Sequence, residues 1–361
     1  MLDEVREAEP RDDRALRELS RACPMRGPVS YCLEREPSFF ALTELQGSSA
    51  RVGVIDGHRE GTLDAMASAI DVARRIDGSE RPLRYLADLK VRPSARHKGL
   101  AGRLLRRAAR DLARDRVAAF GLVLAGNRAM APMLDEAGAE LFFCPMARVR
   151  NHSIFVAPLR EGRAATGVVV RRACREDAGD LVALWNRTVR ELSPVWEEAS
   201  FTRHVDATPG LGFERFWIVE RKGRPVAFAA AWDASAIKQL RLVSLSRGLR
   251  CLRPAFNRVA PWFRSAKMPS DGDVVSFAYL AHATAETAAD LRALVMHIRR
   301  QLAGSSCLYL DLALDVRDPL ARALDGLPKT SIDFDLHWVT PRNMDMPELG
   351  RGPVFFDMSI V

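Results

Sequence analysis

The sequence predicts an α/β (α+β) chain built from two tandem copies of one unit, and three observations predict it. The first is internal repetition: Val5, Arg6, Ala8, Asp12, Leu16 and Leu19 return as Val170, Arg171, Ala173, Asp177, Leu181 and Leu184, each 165 residues later. The second is an unbroken passage from strand to glycine-containing turn to amphipathic helix in residues 83–110. The third is size, since 361 residues with 48% hydrophobic side chains can build two cores.

In each copy a short strand runs into a helix whose start is marked by acids, Asp12 and Asp13 or Glu176 and Asp177, as the positive end of a helix dipole favours. A hairpin follows. Its turn is 56–61 between strands 51–55 and 62–73 in the first copy, and 221–224 between strands 216–220 and 225–232 in the second. Residues 83–91 are mostly apolar and close at Pro93, which cannot donate to a sheet ladder. From Leu100, apolar residues Leu104, Leu105, Ala108 and Leu112 recur at helical spacing, leaving Arg103, Arg106, Arg107, Arg110 and Arg114 for a solvated face. A helix therefore starts near Gly99. Residues 117–124 read as a buried strand, and Pro132 shortens or delays any helix after Asn127. In the second copy Tyr279-Leu280-Ala281 stands where the first has Tyr85-Leu86-Ala87, and Leu324-Asp325 where it has Leu134-Asp135. Pro158, Gly162 and Gly167 punctuate a polar junction. The expected division is a domain at 1–157, a linker at 158–166 and a second domain at 167–361.

The turn before the helix has the makings of an anion site. Unpaired N–H groups at a helix start, the dipole, and the small residues Gly99, Ala101 and Gly102 allow a phosphate to approach the backbone. Arg96, His97 and Lys98 add side-chain charge. Arg96-x-x-Gly99-x-Ala101, preceded by an apolar strand and a Val-x-Pro, resembles the acyl-CoA pyrophosphate loop of the GNAT (GCN5-related N-acetyltransferase) superfamily. Asn127 and Gly138 match the family's next motif, whereas Leu134 stands at its usual Tyr and Ala139 at its usual aromatic.

The resemblance implies two tandem GNAT-like domains, each a mixed, mostly antiparallel central sheet flanked by helices. It implies acetyl-CoA or another acyl-CoA as co-substrate, with no metal. Arg96, His97, Lys98, Gly99, Leu100, Ala101, Gly102 and Asn127 would hold this cofactor. The backbone of Leu89, Lys90 and Val91 would pair with its pantetheine arm and present one N–H to the thioester oxygen. The implied activity is an N-acyltransferase acting on a primary amine of a small molecule. A protein-lysine or N-terminal acyltransferase and a non-catalytic acyl-CoA sensor are the alternatives.

The second copy lacks these features. His282 to Asp290 contains no Gly and no Arg, and carries Glu286 and Asp290 where a pyrophosphate would sit, so it reads as a degenerate domain that kept the fold. Its insertion, 235–272, is rich in Arg and aromatic residues; Phe256, Trp262 and Phe263 either line an acceptor site or pack in a core.

For chemistry, Asp88 is the candidate base. A carboxylate closing an apolar strand would have its pKa raised by burial toward the working pH. The competing reading is structural, with Asp88 bonded to splayed backbone or paired with an arginine such as Arg84. Tyr31, in the loop 24–40, is a candidate acid for the departing thiolate or a packing residue; Glu34 and Glu36 are candidate amine binders or exposed charge. His58 and His152 have no acids at metal-ligand spacing.

Net charge is +8, which fits a polyanionic ligand such as coenzyme A. The excess is almost all Arg and reads as spread along the chain, so nucleic acid is not an expected partner. No run approaches the roughly 20 apolar residues of a membrane span, and Asp3, Glu4, Glu7 and Glu9 do not fit a signal peptide. A cytoplasmic protein is expected. Six scattered cysteines without a C-x-x-C pair read as buried free thiols. Oligomeric state has no signature in the sequence.

Overall fold

The computed structural model describes residues 4–27, 29–127, 140–156, 167–188 and 190–360. The first half contains β1 (Arg6–Glu7), α1 (Asp13–Ala22), β2 (Val29–Glu34), α2 (Phe39–Gln46), β3 (Ser49–Asp56), β4 (Leu63–Ile76), β5 (Ser79–Val91), α3 (Leu100–Asp115), β6 (Ala119–Leu124) and β7 (Leu141–Phe155). The second contains β8 (Val169–Arg172), α4 (Ala178–Arg187), α5 (Glu198–Ala207), β9 (Phe216–Arg221), β10 (Arg224–Trp232), β11 (Gln239–Leu245), α6 (Arg247–Val259), β12 (Ala278–Ala285), α7 (Ala288–Leu302), β13 (Tyr309–Asp315) and β14 (Lys329–Pro341).

The repeated residues form a repeated ion-pair device. Asp12 accepts the Glu9 amide at 2.8 Å and holds Arg6 at 2.7 Å, while Arg6 also reaches Asp56 on β3 at 2.7 Å. Asp177 accepts the Cys174 amide at 2.8 Å and holds Arg171 at 2.7 Å, and Arg171 reaches Glu220 on β9 at 2.7 Å. In both halves one arginine thus joins the first strand, the following helix start and the hairpin strand paired with that first strand.

Twelve strands form one sheet in the order β1-β3-β4-β5-β6-β14-β7-β13-β12-β10-β9-β8. Among the described strands only β5·β6 and β12·β13 pair in parallel, as a helical crossover between each pair requires. The halves exchange their last strands. β14 lies against β6 with Trp338 opposite Phe120, and β7 lies against β13 with His152 opposite Leu312. β7 and β14 then pair with each other along their length, reinforced by Arg148–Asp335 at 2.7 Å and Arg150–Asp333 at 2.6 Å. Packing follows the exchange: Val339 of β14 is buried with Leu105, Ala109 and Leu112 of α3.

The insertion forms an outlying ribbon in which β11 pairs with β2, Leu242 opposite Tyr31, and continues into α6. Trp262 is 79% exposed and Phe263 56%, so these two do not pack in a core. The cysteines also depart from expectation, because Cys174 and Cys251 are exposed while Cys32 and Cys307 are buried. Among the described residues no helix is long and apolar enough to cross a membrane.

Candidate active site

The site begins with a bulge. On β4·β5 the register slips between Met66 and Ser68, and Asp88 takes a left-handed φ of 53°, a region that Asp tolerates better than most side chains. β5 pairs with β6 only at Arg84, Tyr85 and Leu86, opposite Ala119, Phe120 and Gly121. Beyond that point β6 stays with β14 while β5 turns away. A cleft of about 1160 Å³ opens between them, lined by Leu89, Lys90 and Val91 on one side and Leu122, Val123 and Leu124 on the other. This exceeds the roughly 300–1,000 Å³ of pockets for drug-sized ligands.

The cleft runs to the start of α3. His97 and Gly99 have φ values of 63° and 72°, and no side chain caps the helix, so its first amides are presented to the cleft. Arg96, His97, Gly99, Leu100, Ala101, Gly102 and Asn127 all line it. The Lys98 ammonium lies 3.3 Å from the His58 imidazole of the β3–β4 turn. Leu134 and Gly138 lie outside the described residues.

The second half has the same bulge and a closed version of the same cleft. His282 takes a φ of 53°, and β12 pairs with β13 only at Ala278 and Tyr279 before they part. Here the gap is filled by the chain's own residues 354–358, and the Asp357 carboxylate accepts the His282 amide at 3.1 Å. Thr287 caps α7, its hydroxyl accepting the Asp290 amide. Glu286 pairs with Arg224 at 2.8 Å, and Asp290 with Arg221.

No protein-family model matches the chain, and no curated protein matches it. Solved structures do. A GCN5-related N-acetyltransferase from Sphaerobacter thermophilus is 13% identical with a TM-score of 0.56, covering 95% of this chain and 97% of that one. Saccharomyces cerevisiae N-myristoyltransferase with bound myristoyl-CoA is 12% identical with a TM-score of 0.54, covering 98% and 90%. The chain carries two GNAT folds in tandem. At such identities the likeness speaks for the fold, and among the described residues the open cleft lies in the first GNAT fold, with Phe334, His337 and Val339 of β14 completing its wall.

Asp88 differs from expectation in its electrostatics. Its side chain is 6% exposed, and that burial pushes its pKa up, yet Arg35 and Lys90 outweigh it and hold the carboxyl below its ordinary value. Arg35 bonds Asp88 at 2.8 Å, Ser68 donates at 3.2 Å and Lys90 at 3.4 Å. Arg84 instead pairs with Asp71 and Asp115. Tyr31 packs beside Leu242, Val275 and Tyr309, and the structure does not bring it to the cleft. Glu34 is held by Arg241 and Arg21, and Glu36 by Arg17 and Arg21, so neither is unpaired.

Two cleft residues escaped the sequence reading. Cys23 lines it and donates its thiol to the Val91 carbonyl at 3.3 Å, and burial pushes that thiol's pKa up. His337, on the exchanged β14, lines it with a buried Nδ1 that has no hydrogen-bond partner among the described residues. No local signal marks His337, because its placement depends on pairing across the two halves.

Proposed function

We propose that the protein is an acyl-CoA-dependent N-acyltransferase that transfers its acyl group, acetyl in the simplest case, to a primary amine of a small-molecule acceptor. The reading rests on one observation: the first GNAT fold leaves its splayed strands and its α3 amides open, whereas the second closes both with Asp357 and Thr287. The pyrophosphate would lie on the amides of residues 97–102, with Arg96 and Lys98 supplying charge. The pantetheine arm would extend along the edge of β5 that β6 abandons, pairing with Leu89, Lys90 and Val91 as an added strand would.

In the reaction a neutral amine nitrogen attacks the thioester carbonyl carbon, and the oxygen takes up the electron pair. A β5 backbone N–H stabilises that oxyanion. Collapse re-forms the carbonyl, breaks the carbon–sulfur bond and yields an amide; the ammonium proton leaves and the thiolate takes up a proton. Holding both reactants in line supplies much of the acceleration. Asp88, already ionised against Arg35, is assigned to positioning: it fixes the bulge that orients the Leu89–Val91 backbone. Thiol release from acetyl-CoA across a panel of amines tests the activity, with titration calorimetry for binding. Coenzyme A binding without turnover for any amine would favour a sensor, and no binding at all would sink the reading.

A further inference from the structure

The insertion at 235–272 concentrates the charge of the chain. It holds eight Lys and Arg against one acid, Asp271, a net +7 out of the whole chain's +8. The excess is therefore not spread along the sequence as first read. Some of it is engaged, for Arg241 pairs with Glu34 and Arg250 with Asp271. Arg247, Arg258 and Lys267 are exposed and make no ion pair among the described residues.

Beside this charge lies apolar surface. α6 buries none of its side chains, and Leu252 is 63% exposed. Helical spacing puts Leu252, Phe256 and Val259 on one side that leads to Trp262 and Phe263, with Arg247 and Arg258 about 100–180° round the axis, across the exposed strip of Gly248, Cys251 and Ala255. Single exposed apolar residues are ordinary, but a Leu, a Trp and a Phe beside unpaired cations form an interfacial pattern.

We infer that this element docks the protein on an anionic phospholipid bilayer. Leu252, Trp262 and Phe263 enter the headgroup boundary while Arg247, Arg258 and Lys267 meet lipid phosphates. A nucleic acid would engage the cations but leave Leu252 and Phe263 in water, which favours the bilayer. The element is coupled to the cleft through β11, which pairs with β2, whose Leu33 lines it. Vesicle binding requires no cofactor, so this inference stands or falls separately from the acyl-CoA reading.

The test is sedimentation of the full-length protein with vesicles of phosphatidylcholine alone or mixed equally with phosphatidylglycerol. Binding to the mixed vesicles only, released by salt, is expected. Arg247→Gln, Arg258→Gln and Lys267→Gln together should weaken it about a hundredfold, at about fivefold per charge. A second variant, Leu252→Ser with Trp262→Ser and Phe263→Ser, should lose both retention and the vesicle-induced blue shift of tryptophan emission. Unchanged unfolding midpoints verify each fold, and either variant decides the matter if the other misfolds. Equal binding to neutral vesicles, binding unaltered in the variants, or no vesicle binding would overturn the inference. So would binding to duplex DNA, or self-association through this face, in place of vesicle binding.

Discussion

At the residue scale the Asp88–Arg35 pair sets what the cleft can do. Arg35 is 1% exposed and its Nε and Nη1 have no hydrogen-bond partners among the described residues, so its charge depends heavily on Asp88. Removing one member of a buried pair leaves the other uncompensated, and Asp88→Asn should cost about 3–5 kcal/mol in denaturant unfolding. Asn tolerates the left-handed backbone, so the loss reports charge rather than strain. The pH dependence follows from the depressed pKa. A carboxylate lowered by folding contributes stability above the ordinary 3.8 and loses it as pH falls through the folded value, so wild type and Asp88→Asn should converge below about pH 4. In turnover, kcat/KM should rise with deprotonation of the acceptor amine and show no acidic limb from Asp88 above pH 5. A limb near pH 6 to 7 that vanishes in Asp88→Asn would instead make Asp88 the base. That a carboxylate stands within a mostly apolar strand was legible in the sequence, but neither the bulge at Asp88, with β5 continuing to Val91, nor its partner was. Arg35 lies 53 residues upstream, between β2 and α2, where no local pattern points to β5.

At the element scale the two helix starts make a matched pair. Gly99 sits at φ 72° with nothing within 4 Å of the place a Cβ would occupy, so Gly99→Ala introduces backbone strain without a clash. At about 1–2 kcal/mol for a left-handed residue, coenzyme A affinity should fall roughly 5- to 30-fold by calorimetry. Thr287→Ala removes a cap and should cost about 0.5–2 kcal/mol of stability while leaving coenzyme A affinity unchanged. Equal affinity losses at both positions would contradict a single cofactor site. The difference between the two helix starts was readable in advance because Gly99 and Ala101 free the local backbone, whereas Glu286 and Asp290 put negative charge at the matching turn. The splay of β5 from β6 was expected only from the family resemblance, since no local pattern in the sequence encodes it. It depends on β6 having another partner, and that partner, β14, begins more than 200 residues later.

At the scale of the whole molecule the repeat is legible from Val5 and Val170 onward, but repetition says nothing about which copy keeps which strand. Two similar final strands can complete either sheet, and here each completes the other's. The sequence division at 1–157 and 167–361 therefore parts β7 from its strand neighbours β13 and β14, and β14 from β6. A fragment ending at 157 would expose the hydrogen-bonding edges of both β6 and β7 and deprive α3 of Val339, and unpaired edges of that length invite aggregation. Expressed alone, each fragment should be insoluble or fail to unfold cooperatively. Expressed together they should copurify, because the missing strands are present in trans. The intact chain should melt in one calorimetric transition, with van't Hoff and calorimetric enthalpies agreeing, since neither sheet can close while the other is open. Two separable transitions, or a soluble and cooperatively folded first fragment, would show that each half completes itself and that the exchange of β7 and β14 is dispensable to the fold.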